Sequence, residues 1–213
     1  MSYSLQEDEI AWLNFFVLLV SSAIFLHFYV LSAQPASLEK RVGPRAYDLC
    51  ARYRFVSSIF MFVAMGSYIA YYFYPLPGVP LPRTFPWPWW MSALAAAFIG
   101  IPCSCLMWLG VKDAGEETMH PKKDHALYGG IYTLIRHPQG AGEMPLWWSI
   151  AFLLNSPFLV IFSFVYVPVW LLMLLAEERD LVIRYGKPYV EYQKRTGFIF
   201  PKRKDETKQK KAR

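Results

Sequence analysis

The chain has 213 residues, of which 55% are hydrophobic, 18% aromatic and only 18% charged. Soluble domains run nearer half apolar and about a quarter charged, so this composition excludes an ordinary soluble domain and points to a membrane. The net charge of +6 is uneven and densest from Lys202 to Arg213. In so apolar a chain it speaks for anionic headgroups and against nucleic acid as the partner.

In chain order, the first apolar run covers about Ile10 to Ser32, behind an acidic Glu7-Asp8-Glu9. It has neither the basic flank nor the small-residue cleavage site of a signal peptide, and it reads as a retained helix. Its length matches the roughly 20 residues that a bilayer core requires. A connector from Ala33 to Arg52 carries Lys40, Arg41, Arg45 and Arg52, and a second helix follows from about Tyr53 to Tyr74. Its closing aromatics, Tyr68 to Tyr74, read as an interfacial belt, and His27 in the first helix as a hydrogen bond between helices. Pro75 to Pro82 is too crowded with prolines to be helical. Trp87, Trp89 and Trp90 open a third helix at headgroup level, which ends near Leu109.

A polar stretch runs from Val111 to about Tyr128, with His120 and His125 as loop histidines that either cap a pocket or, more commonly for such residues, are simply solvated. The apolar block from Met144 to Ala176 is too long for one span at about 1.5 Å per residue. Asn155-Ser-Pro157 interrupts it, so it reads as a helical hairpin, with helix four over about Gln139 to Leu154 and helix five over about Pro157 to Ala176. Glu177 to Tyr185 continues as helix, Gly186 stops it, and Pro188 opens a short helix ending near Gly197. These last helices read as an amphipathic pair along the cytoplasmic membrane surface. Cys50, Cys103 and Cys105 fit neither a zinc site nor a disulfide framework and read as buried thiols, so no metal site is expected.

The expected fold is an all-α integral membrane protein of about five transmembrane helices, the last two a hairpin, followed by short interfacial helices. It forms a single membrane domain: three helices over 1–110, a cofactor-binding loop, hairpin and interfacial helices over 111–201, and a basic tail over 202–213. With five spans the 33–52 connector, the 111–138 stretch and the C-terminal segment share one side, and they hold all the Lys and Arg except Arg54 and Arg83. The positive-inside rule then puts the N-terminus outside and the C-terminus in the cytoplasm.

The segment Gly129 to Glu143 carries the chemistry. Arg136, His137, Gln139 and Glu143 cluster at the mouth of helix four, with Gln139 and Glu143 on one helix face. Ionisable groups at a membrane boundary are expensive, which marks them as a candidate site. Glu177 and Glu178 end helix five, where acidic side chains oppose the helix dipole. The hairpin brings both sets to one face, so Arg136 and His137 can meet Glu177 and Glu178 across a pocket.

Gly130-Ile-Tyr132, Arg136-His-Pro138, the hairpin broken at Asn155-Ser-Pro157, Glu177-Glu178, Arg184-Tyr-Gly186, Tyr189, Tyr192 and the Thr196-Gly…Pro201 ending recur together in this order. The pattern resembles the isoprenylcysteine carboxyl methyltransferase family and its prokaryotic relatives, and more distantly the phospholipid N-methyltransferases, over about residues 120–201. The resemblance implies S-adenosylmethionine as cofactor, with Tyr132, Arg136, His137, Gln139, Glu177 and Glu178 as its contacts. Arg136, His137 and Glu143 are then the candidate catalytic set. The acceptor would be a lipophilic small molecule or lipid bearing a carboxylate, amine or thiol, reached from the membrane; no protein partner is implied. One departure is Gly140, where the family usually has an aromatic, typically Tyr. A wider pocket, a ring supplied by Tyr128 or Trp147, or weakened catalysis would each account for it. The alternatives are an NADPH-dependent membrane reductase of the sterol-reductase type, suggested by Arg179-Asp180, Arg184-Tyr-Gly186 and Tyr192, and a non-enzymatic membrane protein with a decayed pocket.

Overall fold

A computed structural model describes residues 2–123 and 129–202, with side chains from Leu5 onward. His125, Tyr128 and nearly all of the basic tail lie outside the described residues. Within them every regular element is a helix, joined by loops such as the proline-rich 74–88 segment, with a single isolated bridge between Ile135 and Gly197.

Helix α1 (Ser2–Ser32) starts well before Ile10, since nothing in its acidic first turns breaks a helix. The 33–52 connector is itself helical. Pro35 sits at the first position of α2 (Pro35–Val42), where a missing N–H costs nothing, and a 3-10 turn over Gly43–Arg45 leads into α3 (Ala46–Phe73). The second long helix therefore opens at Ala46 and not near Tyr53. Helix α4 (Trp89–Ala114) also overruns its expected end at Leu109 and stops where Gly115 turns to a φ of +59°. The hairpin forms as expected. Helix α5 (Pro138–Leu153) meets a turn carried by Asn155 at φ +53°, and Ser156 Oγ caps α6 (Pro157–Phe162) by accepting from Leu159 N. The second arm is not continuous, because a 3-10 turn over Ser163–Val165 separates α6 from α7 (Tyr166–Tyr185). After Gly186, at φ +64°, comes the amphipathic α8 (Lys187–Arg195).

Four segments are long and apolar enough to cross a bilayer: Leu5–Ser32, Pro35–Phe73, Trp89–Thr118 and Pro157–Tyr185. Helix α5 is the fifth apolar helix; its 16 residues rise only about 24 Å, which makes it the short arm of the hairpin. Trp12, Phe16, Phe55, Phe62, Leu94, Phe98, Ile101 and Leu172 all face outward. In water such a belt would be an aggregation surface, and in lipid it is the expected exterior.

Between helices the contacts are tight and partly polar, as they must be where lipid removes the hydrophobic drive to associate. Trp147 stacks on Tyr166 at 4.3 Å and leans on Tyr68 at 5.1 Å, at the centre of a core that joins α1, α3, α5 and α7. Tyr166 pairs with Ser22 at 2.8 Å and Tyr68 with Ser163 at 3.1 Å. Tyr68 and Tyr71 are therefore core residues, and only Tyr72, Phe73 and Tyr74 form the belt expected of the whole run. His27 makes no hydrogen bond within the described residues; it lies on the exposed side of α1, edge-on to Phe28. Cys50 is buried as expected, Cys103 is half-buried, and Cys105 is exposed.

Helices α4 and α5 pack along almost their whole length, and Gly142 permits it: a Cβ there would press on the Cys103 carbonyl and stand 2.7 Å from Met107 N. Helices α1 and α3 form the other close pair, while α3 and α4 scarcely touch. The space left between these two pairs holds the candidate site.

Candidate functional site

Arg136 and His137 sit on a short non-helical segment just before α5, held by the segment that follows α8. Arg136 N donates to Gly197 O at 2.8 Å, His137 N to Phe198 O at 3.2 Å, and Gly197 N returns a bond to Leu134 O at 3.2 Å. Gly197 has to be glycine, because a Cβ would run into the Phe200 carbonyl. The segment that follows α8 therefore sets the position of the Arg-His pair.

The side chains converge on Glu178, which is 8% exposed. Arg136 grips it with two parallel bonds, Nε to Oε1 at 2.7 Å and Nη2 to Oε2 at 3.2 Å. His137 Nε2 reaches Oε1 at 2.7 Å, the Tyr189 hydroxyl donates to Oε1 at 2.9 Å, and Gln193 Nε2 donates to Oε2 at 2.5 Å. The remaining Arg136 nitrogen, Nη1, donates to the carbonyls of Gln193 and Thr196. Glu178 and Arg136 thus spend their hydrogen bonds on the protein itself and tie α7, α8 and the chain end to the root of α5. A fork of this kind is the strong form of an ion pair.

Between the two glutamates stands His137, with Nδ1 3.1 Å from Glu177 and Nε2 2.7 Å from Glu178. Ionised carboxylates only accept, so both ring nitrogens must donate, and the ring is imidazolium. Burial alone would lower its pKa; the two carboxylates overcome that and raise it to about 9 from 6.5. A raised folded-state pKa stabilises the fold below the unfolded value, and that stability drains away as pH rises from 6.5 through about 9. Unfolding of the detergent-solubilised protein should show this slope, and His137→Gln should flatten it. An equal slope in the variant would mean that His137 is neutral in the fold.

On the other wall, Gly130 takes a φ of +56° and lies so close to Asp113 that a Cβ would strike its carboxylate. Asp113 in turn accepts from Ile131 N at 2.7 Å and anchors the 3-10 turn that carries Tyr132. Gln139 Nε2 donates to the Tyr132 hydroxyl at 2.9 Å and to Thr118 Oγ1 at 3.0 Å, and the Tyr132 hydroxyl itself donates to Gly110 O. Deeper in, Glu143 Oε2 accepts from the Tyr29 hydroxyl at 3.0 Å.

One cavity of about 510 Å³ joins these groups; Tyr132, Arg136, His137, Gln139, Glu143 and Glu177 all line it. That volume is ordinary for a cofactor site. Glu178 lies behind the wall. The cavity continues between α3 and α4 past Met61, Phe62, Met65 and Met107, and Phe62 is largely exposed on the outer surface of the protein. Beyond the expected residues it takes in Tyr29 and Arg54 from the first half of the chain. Arg54 is legible in the sequence as one of two cations outside the basic segments, set into an apolar run. His120 is exposed and is not part of the lining.

Gly140 also has a structural reason. A Cβ at this position would lie 3.0 Å from Trp170 Nε1 and 3.0 Å from Leu174 Cδ2, so an aromatic from α7 occupies the space beside α5. Among the described residues the ring next to Gly140 is that of Trp170 and not Trp147, while Tyr128 lies outside them; Trp170 carries no signal in the sequence because it looks like any span residue. Trp147 serves the core.

Against this geometry stand the comparisons with known proteins. Residues 91–188 match the phospholipid methyltransferase family model, under half of the chain but the part that holds Tyr132, Arg136, His137, Gln139, Glu143, Glu177 and Glu178. No curated protein and no solved structure gives a significant match. The family match supports a membrane methyltransferase in the general sense, and not the isoprenylcysteine carboxyl methyltransferases in particular.

Proposed function

We propose that the chain is an S-adenosylmethionine-dependent methyltransferase acting on a lipophilic acceptor that enters from the bilayer. The observation that carries this reading is the single cavity, which joins a charged pocket beside α5 and α7 to an apolar cleft between α3 and α4. A polar cofactor and a lipid both need such a place, one end for each. The resemblance to isoprenylcysteine carboxyl methyltransferases and the phospholipid methyltransferase match over residues 91–188 support the same reaction class. The orientation we propose puts the N-terminus outside and the charged pocket at the cytoplasmic face, because the basic segments gather there.

The residues present fit such a cofactor. Glu177, half-buried and held by His137, offers a carboxylate to an ammonium or a ribose diol, while Tyr132 and Gln139 offer a phenol and an amide. When bound, S-adenosylmethionine supplies an electrophilic methyl group on a sulfonium. The Arg136–Glu178 clamp keeps the pocket wall rigid, so that positioning and exclusion of water do most of the work. We assign Glu143 to the acceptor side, where its carboxylate takes a proton from an amine or thiol nucleophile; a carboxylate acceptor needs no such base.

The test is transfer of label. Purified protein in vesicles of mixed phospholipids, given S-adenosylmethionine tritiated in the methyl group, should move radioactivity into the organic phase. Glu143→Gln should cut the rate by roughly 100-fold or more with an amine or thiol acceptor. Label that never leaves the aqueous phase with any lipophilic amine, thiol or acid would refute the reading.

A further inference from the structure

We infer that Arg54, outside the residues that match the family model, is an anion-binding residue of this cavity, its guanidinium holding a ligand oxyanion of carboxylate or phosphate type. In naming the cofactor as one source of that oxyanion, the inference rests on the methyltransferase reading.

The first ground is the use of charge. Arg136 pairs with Glu178 and Arg184 with Glu117, each inside the protein. Arg54 also lines the cavity, yet no carboxylate of the described residues lies within ion-pair reach of it. Its Nη1 donates to the carbonyls of Glu117 and Thr118 at 2.9 and 2.6 Å, and its Nη2 to Ser32 O at 3.3 Å. Carbonyls at the end of α1 and in the turn after α4 orient the guanidinium without neutralising it. A cation held at a membrane boundary without a counter-ion is costly, which is the usual mark of a functional group.

The second ground is an unspent donor. Arg54 Nε is shut away from solvent and has no hydrogen-bond partner. A buried donor left without a partner is costly, and native proteins rarely tolerate one without reason. The third is the neighbourhood. The Arg54 charge acts on Glu143 and Glu177, two carboxylates that line the same cavity. A cation that shares a cavity with two carboxylates is the complement of a zwitterion, an oxyanion joined to an ammonium by a few atoms. The α-amino carboxylate end of the cofactor has that chemistry, and so does a phosphate-linked amine headgroup. Arg136 is already committed to Glu178, which leaves Arg54 as the guanidinium for this task.

The experiment compares Arg54→Gln and Arg54→Lys with the unchanged protein in detergent, reading thermal stabilisation by three probes. S-adenosylhomocysteine carries the α-amino carboxylate, 5′-methylthioadenosine lacks it, and dodecyl phosphate stands for a lipid headgroup. If the oxyanion is the cofactor's, Arg54→Gln weakens S-adenosylhomocysteine by roughly 10- to 100-fold and leaves methylthioadenosine unchanged, while Arg54→Lys retains part of the affinity. If it is the acceptor's, both nucleosides bind as before and stabilisation by dodecyl phosphate is lost. Equal weakening of both nucleosides, with no change for dodecyl phosphate, would mean that Arg54 only braces the helix ends, and the inference would be overturned. No change with any probe overturns it as well. Failure of the unchanged protein to bind either nucleoside would count against the methyltransferase reading alone, and the dodecyl phosphate arm would still judge Arg54.

Discussion

Glu178→Ala is expected to lower the unfolding free energy of the detergent-solubilised protein by about 3–5 kcal/mol, a large share of any domain's stability. The reason is the set of groups it would abandon. Arg136, His137, Tyr189 and Gln193 all donate to this one carboxylate, and removing it leaves two buried cations without their common partner. The cost comes from that uncompensated charge more than from the lost bonds. Glu178→Gln keeps the shape and one acceptor oxygen and should fall between. Tyr189→Phe removes a single donor and should cost about 1 kcal/mol. If Glu178→Ala unfolded with the midpoint and slope of the unchanged protein, the clamp between α5, α7 and α8 would not exist as described. Loss of ligand binding in this variant is therefore to be read beside its stability, because Glu178 stands behind the pocket wall.

Gly140→Tyr, the change that would restore the aromatic seen in the related families, is expected to destabilise the fold by about 3 kcal/mol, the upper end of the usual range for overpacking. The Cβ alone would press on Trp170 Nε1 and Leu174 Cδ2 at 3.0 Å, and the ring beyond it has nowhere to go. Trp170→Ala alone should also destabilise, because it leaves a cavity against Met173 and Leu174. The double variant should be more stable than the sum of the two losses predicts by about 1 kcal/mol or more, within the roughly 0.5–3 kcal/mol usual for residues in contact. Strict additivity in unfolding measurements would show that Trp170 does not take the place of the missing ring.

Much of the fold was legible. Apolar run lengths, the Asn155-Ser-Pro157 break and the glycine at 186 located the long helices and the hairpin, because span length and proline chemistry are local constraints. Helix starts were misjudged where polar residues continue a helix into the headgroup region, as before Ile10 and before Tyr53, since polarity marks the membrane edge and not the helix end. The break between α6 and α7 is marked by Pro168, which lacks the N–H that would bond the Phe164 carbonyl four residues back, and the reading of one continuous arm overlooked it. At the candidate site, Arg136, His137, Gln139, Glu143 and the Glu177-Glu178 pair are legible as polar and ionisable groups at a membrane boundary, Tyr132 enters only through the family resemblance, and the hairpin places them together. What spacing could not reveal was the division of labour. Glu177 and Glu178 are adjacent in sequence, but a turn of about 100° per residue sends one to the cavity and the other behind its wall. Tyr29 and Arg54 come from helices with no motif, and only the packing brings them to the pocket. At Gly140 the sequence leaves a wider pocket, a substitute ring and weakened catalysis open alike, and the neighbour that decides among them is Trp170, thirty positions away on another helix.

The central claim, a cofactor pocket for S-adenosylmethionine in the cavity beside α5 and α7, is tested most directly by thermal unfolding of the purified protein with S-adenosylhomocysteine and, separately, with NADPH. A ligand at about 100 times its dissociation constant stabilises the folded state by about 2.7 kcal/mol, a readily measured shift. The account predicts stabilisation by S-adenosylhomocysteine and none by NADPH. A shift with NADPH alone would contradict it in favour of a reductase, and no shift with either ligand up to millimolar concentration would contradict it outright.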